Sequence, residues 1–156
     1  MNLERRTLNR TDQAGITPNA KGRVYDLEDR LLEFASRVID VSENLPKTRA
    51  GNHIAGQLLR SGTSPYGNHG EAQAPESMDD FIHKLKVCLK ELRETRRWAR
   101  LIERKNWLRG DAHIAFVLQE AEELIRIFKA SVQTAERNRL GARRVSASTT
   151  SRPQPV

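Results

Sequence analysis

The stretch from Ser77 to Asn106, SMDDFIHKLKVCLKELRETRRWARLIERKN, constrains the fold more than any other part of the chain. Phe81, Leu85, Cys88, Leu92, Thr95, Ala99 and Ile102 recur at alternating steps of four and three. That spacing gathers them on one side of an α-helix and suits packing into a helical bundle. A second line, Lys86, Lys90, Arg93, Arg97, Arg100 and Arg104, follows the same steps and is basic throughout. One face therefore packs while another presents a row of cations. Ser77 suits the N-cap, and Asp79 and Asp80 suit the positive end of the first turn.

Upstream, Asp26 precedes Leu27, Leu31, Phe34, Ala35, Val38 and Ile39, the apolar face of a first helix. Leu45 lies near its end, and Pro46 stops it, because the residue before a proline is pushed out of the α region. The outside of this helix is acidic: Glu28, Asp29, Glu33, Asp40 and Glu43 outnumber Arg30 and Arg37. Thr48 caps a second helix carried by Ile54, Ala55, Leu58 and Leu59, with Gly51, Gly56 and Gly62 allowing a neighbour to approach closely. Local rules end this helix near Ser61, since Pro65 lacks an N–H and Gly62, Gly67 and Gly70 are poor helix formers. Yet Arg60, Ser64, Asn68 and Glu71 fall at steps of four, four and three. They share one polar face if the helix continues through a kink, and that is the reading adopted.

Pro75 marks a connection, and Asp111 caps a fourth helix with Ile114, Val117, Leu118, Ala121, Leu124, Ile125, Phe128 and Val132 inside. Apolar periodicity stops near Ala135. Residues 136–156 are rich in Arg, Ser and Thr and read as a disordered basic tail. Residues 1–23, with Arg5, Arg6, Arg10, Lys21 and Arg23, read as a basic arm. No strand alternation or internal repeat is visible. The expectation is all-α: an up-down four-helix bundle over residues 24–135, with a kinked second helix and disordered basic termini.

The totals exclude several classes. No apolar run approaches the about 18 residues of a membrane span. Arg5-Arg6 is followed by polar residues, not by the apolar core of an export signal, so the cytoplasm is expected. Cys88 is the single cysteine and lies on the apolar stripe, so it should behave as a small hydrophobe. The net charge of +7 favours acidic partners, nucleic acid foremost.

Catalytic chemistry finds little support. A di-iron bundle needs Glu-x-x-His pairs on two helices, and the nearest match, Asp80 to His83, stands alone with the wrong acid. His53, His69, His83 and His113 lack metal-ligand spacing, and His69 with Glu71 would need further ligands. Gly62 to Gly67 has the spacing of a phosphate loop without the Lys-Ser/Thr that must follow. No serine or cysteine has a recognisable base partner. No enzyme, cofactor or metal is therefore expected. The stripe Arg60, Ser64, Asn68 and Glu71 is assigned mainly to structure, with Glu71 or Glu91 as the carboxylate partner that a buried Arg60 would need. The basic row could be an ordinary solvated face, with Glu94 and Glu103 near enough to pair with it. Its uniform sign favours phosphate binding instead. Trp98 and Trp107 are too few and too near the apolar face to make a stacking platform, so binding through backbone charge with little sequence preference is expected.

The run QLLRSGTSPYGNHGEA, with its R-x-x-x-S-x-x-x-N-x-x-E spacing, and the following DDFIHKLKVCLKELRET resemble the four-helix-bundle proteins encoded within 23S ribosomal RNA intervening sequences. The accessory variability protein of diversity-generating retroelements is similar. The resemblance spans roughly Val24 to Val132 and implies a basic, non-enzymatic homo-oligomer, a ring-shaped pentamer. It implies binding to RNA or DNA and, through the retroelement relative, an accessory role with a reverse transcriptase or other ribonucleoprotein. The competing class is a scaffold whose positive surface meets an acidic protein. An acidic first helix and a basic third also suit a head-to-tail contact between copies.

Overall fold

Each helix begins where a side chain can accept the backbone N–H groups that its first turn leaves without carbonyl partners. In this computed structural model, which describes residues 17–18 and 24–150, four residues do so. Asp26 accepts from the Asp29 N–H at 2.8 Å and opens α1, Leu27–Glu43. Thr48 accepts from Gly51 at 3.1 Å and opens α2, Arg49–Ala72. Ser77 accepts from Asp80 at 3.0 Å and opens α3, Met78–Lys105. Asp111 accepts from His113 at 2.6 Å and opens α4, Ala112–Thr150. α3 ends on Asn106 in the left-handed region, φ 56°, a conformation asparagine tolerates better than most residues.

α1 packs on α2 and α4, and α3 packs on the same two, so α1 and α3 lie diagonally across an up-down bundle. The core is continuous. Leu31, Phe34 and Val38 of α1, Leu58 of α2, Leu92 and Ile102 of α3, and Val117, Leu124 and Phe128 of α4 are fully enclosed. Burying each such side chain stabilises the fold by about 1.5–3 kcal/mol before chain entropy is counted. On α3 the stripe from Leu85 to Ile102 is buried as its spacing requires. Phe81 is only half-buried, and Ile82 and Leu89 join the core beside it. Ile39 and Leu59, read as inward, are exposed.

One expectation is met and two change. As adopted, α2 continues as one helix through the sequence at which local propensity would end it. Pro65 is buried against α3, and its carbonyl accepts the Cys88 thiol at 3.5 Å, so packing along the α2–α3 seam outweighs the weak helix formers around it. α4 does not end at Ala135 but continues to Thr150, so residues 136–150 are helical where a disordered tail was expected. Charge replaces apolar register there. Glu136 meets Lys86 at 2.6 Å, and Arg139 and Arg143 meet Asp79 at 2.8 and 3.6 Å. Finally, Thr17–Pro18, β1, and Val24–Tyr25, β2, form a two-residue antiparallel pair that no alternation announced. The remainder of the N-terminal arm, with Arg5 and Arg6, and the last residues, 151–156, lie outside the described residues. Among the described residues no helix is long and apolar enough to cross a membrane.

Candidate nucleic-acid interface

Burial of Leu85, Cys88, Leu92 and Ile102 fixes the rotation of α3, and the opposite arc must then face outward. Lys86, Lys90, Arg93, Arg97, Arg100 and Arg104 occupy that arc, and all six are exposed. At 1.5 Å per residue the row is about 27 Å long. Lys86 is paired with Glu136 and Lys90 approaches Glu91 at 3.8 Å. Arg93, Arg97, Arg100 and Arg104 have no ion pair among the described residues. Successive like charges three and four apart destabilise a helix by a few tenths of a kcal/mol per pair. The neighbouring Arg96 shows the contrast, turning aside to hold both oxygens of Glu122 at 3.0 and 2.9 Å. Glu94, expected within reach of the row, is engaged elsewhere. It receives Arg60 from α2 and the indole N–H of Trp98 at 3.3 Å. Leu89, Trp98, Leu101 and Val132 line one open depression together with Lys86, Lys90, Arg93, Arg97 and the Glu94 carboxylate.

The second group lies along the α2–α3 seam. Arg60 is not buried, since its side chain is 57% exposed; Glu91 is the buried member, with a side chain only 7% exposed. The carboxylates of Arg60 are Glu94, in a direct hydrogen bond, and Glu91, at 3.6 Å. Glu71 belongs to Lys84 instead, and its hydrogen bond holds the Lys84 ammonium above the usual lysine range. Between these ends the Asn68 amide donates to the Ser64 carbonyl at 3.0 Å and lies 3.1 Å from its hydroxyl. Thr95 of α3 reaches the Ser61 hydroxyl at 3.0 Å across the seam. The four stripe residues thus line one helix face and meet α3 at its two ends. Glu91 Oε2 is buried without a hydrogen bond among the described residues, where Arg60 and Lys90 approach the carboxylate at 3.6 and 3.8 Å.

The remaining chemistry-bearing side chains are dispersed. Burial pushes the Cys88 thiol up to about 12, so it remains protonated at neutral pH and is a poor nucleophile. His69 is buried edge-to-face on Phe128, ring centroids 6.2 Å apart, with Nε2 3.1 Å from the Gln73 amide. Desolvation holds its pKa below 6.5. Glu71 does not join it, being paired with Lys84. His113 lies between Arg37 and Asp40, and His83 is exposed. His53 of α2 stands against Trp98 of α3 at 6.5 Å with the rings perpendicular. This pairing and the capture of Glu94 by Arg60 escaped the sequence reading, because both depend on the register between α2 and α3.

A family model described as 23S rRNA-intervening sequence protein matches residues 25–130. Among solved structures the chain is similar to a protein of unknown function from the S23 ribosomal protein family of Bacteroides thetaiotaomicron. The two are 30% identical, with a TM-score of 0.61 over 68% of this chain and 94% of the other. No curated protein matches. The matched span runs from the entry to α1 to the last buried turns of α4 and includes both the seam and the cationic row, so the chain belongs to the 23S rRNA-intervening sequence protein family.

Proposed function

We propose that this protein is a non-enzymatic, homo-oligomeric nucleic-acid-binding protein that holds the phosphate backbone of RNA or DNA on the outer face of α3, with little sequence preference. The observation that carries the reading is the set of four arginines, Arg93, Arg97, Arg100 and Arg104, exposed on one face without an ion pair among the described residues, while Arg30, Arg60 and Arg96 find carboxylates. Such a face is costly to an isolated helix and is relieved by a polyanion, whose condensed counterions are released on contact. A ring of copies, five by resemblance to the family, repeats the row and multiplies its avidity. The role that follows is an accessory factor to a ribonucleoprotein or a reverse transcriptase.

The test replaces Arg93, Arg97 and Arg100 together with Glu. Binding to RNA or DNA at low salt should be lost, with helical content and oligomer size unchanged. In the parent, the logarithm of affinity should fall linearly with that of salt concentration. Equal binding by the triple variant would leave the row as a solvated surface.

A further inference from the structure

The edge of the row nearest α2 has a chemistry that the row itself lacks. Trp98 adjoins Arg97 in sequence and lines the same depression as Lys90, Arg93 and Leu101. Its indole is half-buried against the core but is also held from outside it. The N–H donates to Glu94 at 3.3 Å, Glu94 is fixed in turn by Arg60, and the His53 ring stands perpendicular at 6.5 Å. His53 and Arg60 are themselves exposed. An indole and an imidazole therefore meet beside a line of cations, and the Arg60 guanidinium is joined to the indole through the Glu94 carboxylate, which lines the same depression. These are the flat groups on which unpaired bases stack, and a ring already held in place loses little freedom when it binds one. Counting tryptophans along the chain misses this site, since two of its three planar groups come from another helix.

We infer that the Trp98–His53–Arg60 edge is a stacking site for an unpaired base, so that the polyanion taken by the α3 row is a single-stranded nucleic acid. The inference rests on the backbone-binding function proposed above. A strand lying along Lys90, Arg93 and Arg97 presents its phosphates to the row and is free to turn a base onto the edge. A duplex keeps its bases stacked inside and offers only phosphate. Stacking accepts any base, so weak sequence preference is retained.

Trp107→Phe leaves Trp98 as the sole tryptophan and makes its emission a direct reporter. The protein is titrated at low salt with a single-stranded oligonucleotide, with its duplex and with inorganic polyphosphate of matched charge. The single strand should quench Trp98 and bind about tenfold more tightly than the duplex, the order expected for one stacked base. Polyphosphate should bind without quenching. Trp98→Leu and His53→Ala should each weaken single-strand binding about five- to tenfold and leave polyphosphate binding unchanged. The exposed His53 keeps the test decisive if Trp98→Leu fails to fold. Equal affinity for single strand and duplex, with Trp98 emission unmoved, would overturn the stacking site and leave the cationic row standing. Absence of any polyanion binding at low salt would overturn both.

Discussion

Gly62 and Gly56 sit on the same helix, yet one has a neighbour and the other does not. A Cβ built on Gly62 would lie 2.5 Å from a methyl of Val38, fully enclosed on α1, whereas one on Gly56 meets nothing within 4 Å. Only the first permits the close approach that both suggested in sequence. Gly62→Ala should destabilise by about 1–3 kcal/mol, as overpacking outweighs the gain in helix propensity. Gly56→Ala should stabilise by up to about 1 kcal/mol. Reversible urea unfolding distinguishes the two signs. His69 gives a residue-scale prediction in pH. Its ring packs on Phe128 of α4 and meets Gln73 on its own helix, and the charged groups acting on it are Glu28 and Asp26 at the start of α1. Desolvation outweighs those carboxylates and lowers its pKa, so the unfolded chain binds the proton more readily than the fold. Its contribution to stability is fully present above about pH 6.5 and is lost as pH falls through the depressed folded value. Unfolding followed between pH 7.5 and 5.5 should show this slope, and His69→Leu should flatten it.

Among the elements, α4 is the one whose length departs most from its apolar pattern. Among the described side chains Ala135 is its last buried apolar residue, and beyond it Arg139 and Arg143 hold to Asp79 in the first turn of α3. The Arg139 hydrogen bond holds the Asp79 carboxyl below its ordinary range. The pair is exposed and screened, so Asp79→Asn should leave the global unfolding midpoint nearly unchanged. It should nonetheless fray the last turns, read as faster amide exchange after Ala135 and a smaller helical signal; about 0.5 M salt should do the same to the parent. The same contrast explains what was legible beforehand. Asp26, Thr48, Ser77 and Asp111 announced the four helix starts, and the α3 stripe announced its buried face, because capping and periodicity are local. The continuation of α2 through Pro65 was legible from its polar spacing, and so was Glu91 as one of two candidate partners of Arg60. The helical extension of α4 and the Arg60–Glu94 bond were not, because each is decided by a residue distant in sequence, Asp79 and Glu94. The cationic row was legible as a pattern, whereas the planar groups at its edge required the α2–α3 register.

At the scale of the molecule, the diagonal placement of α1 and α3 separates two surfaces. α3 carries the cations. On the α1–α2 side Leu32 and Ile39 of α1 are 50% and 45% exposed, and Leu59 and Tyr66 of α2 are exposed as well. The outer residues Glu28, Asp29 and Glu43 of α1 are acidic and exposed. A patch of this kind on one side and a basic row on the other allow two modes of self-association, and they make opposite predictions. If acidic α1 of one copy met basic α3 of the next, the row would be occupied, and the Arg93, Arg97 and Arg100 to Glu variant would fall apart. If the apolar side of α1 and α2 carries the contact, that variant keeps its size and the row stays free for a polyanion, as the proposed function requires. The second mode is the expected one, because desolvating apolar side chains favours association while exposed charge pairs contribute little at moderate salt. Light scattering at micromolar concentration should therefore report an oligomer, a pentamer by resemblance to the family, for the parent and the triple variant alike. Leu32→Lys with Ile39→Lys should reduce it to monomers that still bind nucleic acid through one row, about 10²-fold or more weakly once avidity is gone. A parent that is monomeric under these conditions would rule out the assembly. An oligomer that breaks in the triple variant but survives the α1 double variant would place α3 in the contact instead.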